Sequence, residues 1–232
     1  MKFSAVAFDL DGTLYPNFRL YARLLPFMVK EHRLLRAFGK ARKMLRKNFS
    51  MEESGEHSSE KKPKEDFYDI QAGILGKILG CSMEEARERA EKLIYRGWEP
   101  LFRKIRLFPH VLETLDAFRK EGIKMGLLSD FPPEIKLKNL NLSGFWDVVI
   151  CSEQTGRLKP DAKPFLDLAA MMGSAPEQIL YVGNSVPYDV EGSRKAGMKS
   201  AHICSRLRKS FSSGSADFVF YDYRQLCEYV LG

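Results

Sequence analysis

The sequence predicts an α/β fold: a doubly wound parallel sheet with an all-helical segment inserted after the first strand. Two observations carry this. Short apolar runs alternate with helix-spaced apolar residues through residues 108–232, the signature of parallel βαβ units. Between Pro16 and Leu107, by contrast, no strand pattern occurs and apolar residues recur only at three and four. The composition agrees: 232 residues with 44% apolar, 29% charged and 12% aromatic side chains suffice for one sizeable core. A disordered or low-complexity chain is excluded.

The first strand is expected at residues 3–8, where apolar side chains alternate and then fill in. Further strands are expected at Ile123–Ser129, Val148–Ser152, Ile179–Gly183, Ser200–Cys204 and Phe218–Phe220. Val111, Leu112, Leu115 and Phe118 mark one intervening helix, and Phe165, Leu168, Ala169 and Met172 another. Gly122 and Gly173 stand where each helix would close on a left-handed residue. The insert shows three stripes. The first is Leu20, Leu24, Phe27, Met28, Leu34 and Phe38, with a kink or break expected at Pro26. The second is Phe67, Ile70, Ile74, Leu75 and Ile78; the third is Met83, Ala86, Ala90 and Leu93. Residues 50–66 have almost nothing to bury and read as a mobile loop. The division that follows is a core of residues 1–15 and 108–232, with a helical domain at 16–107.

The net charge of +7 is concentrated in one place. From Arg19 to Asn48 ten Lys or Arg residues face one acid, Glu31, which gives +9 there and −2 on the rest of the chain. Three readings stay open: a solvated helix face, a nucleic-acid or membrane-surface helix, and an electropositive wall facing an anionic substrate. No apolar run approaches the roughly 18 residues of a spanning helix. Asp9 comes too early for a signal peptide. The four cysteines lie 70, 53 and 23 residues apart without a Cys-x-x-Cys, a pattern that suits a reducing cytoplasm.

The chemistry gathers at predicted strand ends. Strand one runs into Asp9-Leu10-Asp11-Gly12-Thr13-Leu14. Two acids one residue apart resist joint ionisation unless a cation offsets them, and hard oxygens suit Mg²⁺. An Asp-Gly pair is also an ordinary turn, so this motif alone decides nothing. Strand two ends in Ser129-Asp130, strand three is followed by Gly156-Arg157-Leu158-Lys159-Pro160-Asp161, and strand four ends in Gly183-Asn184-Ser185-Val186-Pro187-Tyr188-Asp189. In open α/β sheets ligands bind beyond the carboxyl ends of the strands, so all four groups point at one crevice.

In these motifs, their order and their spacing, the chain resembles the haloacid dehalogenase-like hydrolase superfamily over nearly its whole length. The resemblance implies a Rossmann-like core with a helical cap inserted after the first motif. It implies that Asp9 is the nucleophile forming an aspartyl-phosphate, and that Asp11 is the general acid and then the base. Ser129, with Thr13 and Asp130, would bind the phosphoryl group, and Lys159 would neutralise the nucleophile and the developing charge. Mg²⁺ would be held by Asp9, Asp11 (through its backbone carbonyl), Asn184 and Asp189. Asp11 favours phosphate chemistry, because the dehalogenases lack an acid two residues after the nucleophile. Asn184 departs from the pattern, since most phosphatases of the family carry an acid there. An amide oxygen brings no charge and predicts weaker metal binding. Asp189 could instead cap a helix, and Asp130 could be a turn residue.

The expected activity is Mg²⁺-dependent hydrolysis of a small phosphorylated metabolite. A phosphotransferase or mutase using the same intermediate is the nearest rival, and a non-catalytic protein gripping nucleic acid with the basic helix is the second. His32, His57, His110 and His202 show no ligand spacing, and Cys151 and Cys204 read as core residues. No Gly-x-Gly-x-x-Gly follows a strand, which disfavours a dinucleotide site. Tyr95, Trp98 and Phe102 could line a pocket under the cap, but packing between cap helices is the reading adopted.

Overall fold

The computed structural model describes residues 2–53, 66–205 and 216–232. Among them, six strands form one sheet in the order β3-β2-β1-β4-β5-β6, and every neighbouring pair is parallel. The strands are β1 (Ala5–Phe8), β2 (Lys124–Ser129), β3 (Val148–Cys151), β4 (Ile179–Gly183), β5 (Lys199–Ile203) and β6 (Phe218–Phe220). Each lies within one or two residues of its predicted position. The strand order reverses between β1 and β4, and such a switch point opens a crevice beyond the strand ends.

The alternation along β1 sorts the core into two layers. Val6 and Phe8 face one side, where they pack with Leu115 and Phe118 of α6 (Val111–Lys120) and Tyr223 and Leu226 of α10 (Tyr223–Leu231). Ala5 and Ala7 face the other, against Phe165, Leu168 and Met172 of α8 (Ala162–Met172). These side chains are fully or almost fully buried. At roughly 1.5–3 kcal/mol for each large apolar side chain buried, they fix the sheet between its helices. Gly173 closes α8 in the left-handed conformation, as expected.

The cap is helical. It comprises α1 (Asn17–Lys30), α2 (His32–Glu53), α3 (Phe67–Leu79), α4 (Met83–Ala90) with a π-turn at Glu91–Tyr95, and the short α5 (Glu99–Phe102). Leu34, Ala37, Phe38 and Ala41 of α2 pack with Leu75, Ala86, Ala90 and Ile94 in a cluster of their own. The alanines let the helices approach closely. Two expectations need correcting here. Helix α1 continues through Pro26, and the chain turns at Glu31 instead. Pro26 and Ala22 both lie on the exposed side, where water can reach the carbonyl that proline leaves without a helical donor. The single stripe from Leu20 to Phe38 is therefore two faces: Leu20 and Leu24 join the sheet's core, while Leu34 and Phe38 join the cap cluster. The expected mobile loop begins later than residue 50, because α2 extends to Glu53 and α3 starts at Phe67. The rest of that loop, 54–65 with His57, lies outside the described residues.

The remaining connections carry the motifs. The loop after β2 leads into α7 (Glu134–Asn139), the loop after β3 leads into α8, and a π-turn at Val186–Val190 joins β4 to α9 (Glu191–Lys195).

Candidate active site

Asp9 is the first residue past β1, at the switch point, and its side chain is buried. Its Oδ1 accepts from Lys159 Nζ at 2.7 Å, and its Oδ2 accepts from Thr13 Oγ1 at 2.7 Å. Lys159 also donates to Asp189 Oδ1 at 2.7 Å and to the Tyr181 hydroxyl at 3.3 Å, so its three protons have three partners. Thr13 Oγ1 lies 3.3 Å from Asn184 Oδ1. Asp9, Thr13, Lys159, Asn184 and Asp189 thus converge on one buried cluster drawn from β1, β4 and the loop before α8.

Local backbone chemistry places each member. Gly12 has φ +90°, and a Cβ there would stand 2.4 Å from Asn184 Nδ2, so the turn accepts only glycine. A Cβ on Gly183 would come within 2.3 Å of Asp189 Cβ, and glycine is what admits Asp189 beneath the end of β4. Asp189 Oδ2 accepts from the backbone N–H groups of Asn184 and Ser185 at 3.1 and 3.0 Å. Both its oxygens therefore have protein partners. The Tyr223 hydroxyl donates to the carbonyl of Thr13 at 2.7 Å, tying α10 to the first motif. Nε2 of His202 lies 3.1 Å from the main-chain oxygen of Asn184.

Burial among acids shapes the electrostatics. The Asp9 carboxyl is pushed up to about 7: burial raises it most, Lys159 pulls it down, and Asp189 and Asp11 add to the rise. Burial works against the Lys159 ammonium, but Asp189 and Asp9 more than offset it and raise its pKa. A buried cluster with surplus negative charge is a place for a cation or for an electrophile.

The other candidate residues divide. Asp11 is half-buried, and its carboxylate is held by two residues that no motif singled out: Tyr15, whose hydroxyl donates to Oδ1, and Lys136, whose Nζ is 2.5 Å from Oδ2. Ser129 is fully buried, and its Oγ accepts from the Phe131 N–H at 3.2 Å. Asp130 faces away from the Asp9 cluster into an ion-pair network. It accepts from Ser152 Oγ at 2.6 Å, from the Lys159 N–H at 3.3 Å and from Arg46 at 2.7 Å, with Arg42 at 3.5 Å. The Asp130 side chain is thus engaged by two arginines, a hydroxyl and a backbone N–H.

Those arginines come from the basic segment of α2. Arg42 is buried and paired with Glu153, which is also buried, and Tyr95 donates to the same Glu153 oxygen at 3.0 Å. Arg33, Arg36, Lys40, Lys43 and Lys47 are exposed. The segment is therefore neither one electropositive wall nor simply a wet face. Most of it is solvated, and two arginines are tied into the core.

Between cap and core lies a cavity of about 350 Å³, lined among others by Tyr95, Trp98, Phe102, Phe131 and Lys136. Packing alone was the adopted reading for the first three of these. Phe102 does join the core cluster and Trp98 packs against it, yet all three also wall this cavity. Of its lining residues, Lys136 is the one bonded to Asp11.

A profile described as haloacid dehalogenase-like hydrolase matches residues 3–197. The chain belongs to the haloacid dehalogenase-like hydrolases. Its relatives include phosphatases by name. It is 31% identical over 218 residues to a phosphoglycolate phosphatase of Salmonella typhi, covering 85% of this chain and 80% of that one. It is 29% identical over 203 residues to a glyceraldehyde 3-phosphate phosphatase of Methanopyrus kandleri, covering 86% and 83%. Among solved structures, a phosphatase of this family from Thermococcus onnurineus superposes with a TM-score of 0.63 at 27% identity, over 98% of both chains. The haloacid dehalogenase-like chain described here is a hydrolase, with a parallel Rossmann-like core and a helical cap.

Among the described residues, no group of three or more His, Cys, Asp or Glu side chains is arranged to hold a metal ion, and no helix is long and apolar enough to cross a membrane.

Proposed function

We propose that this hydrolase is a phosphatase acting on a small phosphomonoester through an aspartyl-phosphate on Asp9. One observation carries the reading: a carboxylate at the switch point, with one oxygen on a buried lysine and the other on a threonine hydroxyl. Held from both sides, Asp9 has a single orientation from which to attack, and positioning is most of what phosphoryl transfer asks of a protein. An Asp9 oxygen bonds to phosphorus as the bond from phosphorus to the leaving alcohol's oxygen breaks. Asp11 acts from its protonated form, with its carboxyl turned away from Tyr15 and Lys136, and gives that proton to the leaving oxygen. It then takes a proton from the water that attacks the aspartyl-phosphate, releasing inorganic phosphate and restoring the Asp9 carboxylate. Lys159 offsets charge on Asp9 and the transferring group, and the Ser129 hydroxyl donates to a phosphoryl oxygen.

The residues present fit Mg²⁺ by their chemistry. The Asp9 carboxylate, the Asn184 amide oxygen and the backbone carbonyl of Asp11 are hard oxygens, and Mg²⁺ commonly makes do with one or two carboxylates, water and substrate phosphate. When bound, the ion supplies positive charge beside the nucleophile and the phosphoryl group. Asp189 serves this site by holding Lys159 and the Asn184 backbone. We read the chain as a core of residues 1–15 and 108–232 under a cap of 16–107. The cavity of about 350 Å³ is the size of a small metabolite's pocket. The compartment is read as cytoplasmic, on four cysteines that remain thiols. The test is release of inorganic phosphate from phosphoglycolate and glyceraldehyde 3-phosphate with Mg²⁺ titrated in and then chelated. Metal-dependent release supports the reading; no release from either compound or from an aryl phosphate contradicts it.

A further inference from the structure

Arg46 sits on cap helix α2, yet its guanidinium meets three loops of the core. Its Nε donates to the carbonyl of Lys159 at 2.7 Å, and a terminal nitrogen donates to Asp130 Oδ2 at 2.7 Å. Its Cζ lies 4.6 Å from the ring centre of Tyr188, the neighbour of Asp189. Asp130 in turn accepts the N–H of Lys159 at 3.3 Å. The backbone N–H and C=O of Lys159 are therefore both gripped by one ion pair, whose cation belongs to the cap and whose anion follows Ser129. A second contact supports the first. Leu45, fully buried on the same helix, packs in one cluster with Phe67 and with Leu158, the residue immediately before Lys159.

We infer that Arg46 is a positioning residue for Lys159, so that seating the cap on the core sets the lysine which faces Asp9. The inference rests on the reading of Lys159 as the catalytic lysine. Arginine suits the task and lysine does not: the planar fork reaches the carbonyl and the carboxylate together, whereas a single ammonium has no such fixed pair of donors. Displacing a reacting group by about 1 Å can cost on the order of 100-fold in rate. Loss of Arg46 should therefore appear in kcat far more than in KM. It should also leave the buried Lys159 ammonium more open to reagents.

The experiment compares the full chain with Arg46→Ala, Arg46→Lys and Lys47→Ala, the last an exposed lysine of the same helix. Two readouts are taken: kinetics on the phosphomonoester that the unsubstituted protein hydrolyses fastest, and the rate of Lys159 acetylation by an N-hydroxysuccinimide ester, followed by peptide mass spectrometry. For Arg46→Ala the expected result is a fall in kcat of about 10- to 100-fold, with KM within about threefold and Lys159 acetylated at least about tenfold faster. Arg46→Lys should fall between, and Lys47→Ala should match the unsubstituted protein. Unchanged kcat and unchanged Lys159 protection in Arg46→Ala would overturn the inference. So would a rise in acetylation shared by lysines throughout the sheet, which marks general loosening. If the unsubstituted protein hydrolyses no phosphomonoester, the phosphatase reading fails, while the acetylation rates still decide whether Arg46 positions Lys159.

Discussion

The Asp9 cluster and the α2–core contact lie on either side of Lys159, and both are built from buried charge, but they use it in opposite ways. At Asp9, two buried acids, Asp9 and Asp189, share one lysine, and the Asp9 carboxyl is pushed up to about 7. At α2, Arg42 and Arg46 face Asp130 and Glu153, so cations and anions are matched. Surplus negative charge invites a cation and an electrophile. A matched network invites nothing and holds elements together, because removing one partner strands the other. The same lysine links the two: its ammonium belongs to the reactive cluster, its backbone to the fixed one.

Substitutions can separate the two regions. Lys159→Ala should lower kcat by about 10²- to 10³-fold, as loss of a group that stabilises transition-state charge does; steady-state rates check this. Glu153→Leu should leave Arg42 buried without its main partner and cost about 3–5 kcal/mol of stability, read as a fall in the urea midpoint. If Glu153→Leu cost little stability, the α2 contact would not be the matched anchor described. The smallest effect concerns pH. Burial alone would raise Asp130, but Arg42, Lys159 and Arg46 hold it at about 2, below its ordinary 3.8. A carboxylate depressed in the folded state adds stability that is complete above its unfolded pKa and is lost as pH falls through the folded one. The protein should therefore lose about 2 kcal/mol between pH 4 and 2 through this group. Asp130→Asn should flatten that limb in acid titrations of stability.

The two regions also differ in how much of them a sequence can show. The strand ends were legible because a turn motif after an apolar run fixes both the residue and its place in the sheet. Asp9, Thr13, Lys159, Asn184 and Asp189 converge for that reason. The network on α2 was written in a different code. Leu34 and Phe38 define the buried face, and the next steps of four are Arg42 and Arg46, so helical spacing pointed both arginines inward. Their charge hid this, since ten basic residues in one segment suggest a wet surface. The arginine partners of Asp130 were equally hidden, because they lie 84 and 88 residues away in the chain. Lys136 was missed because it belongs to no motif, although the first helix after β2 was a place to look. Pro26 was read as a kink or break, and α1 does not break there, because local rules do not report that its side of α1 is exposed.

The most direct test of the central claim is a chemical quench of the protein during turnover of a phosphomonoester with Mg²⁺, followed by peptide mass spectrometry, alongside Asp9→Asn. A phosphoryl group on Asp9, with turnover reduced by about 10⁴-fold or more in Asp9→Asn, is the expected result. Sustained turnover in Asp9→Asn, or phosphate captured on another residue, would contradict it.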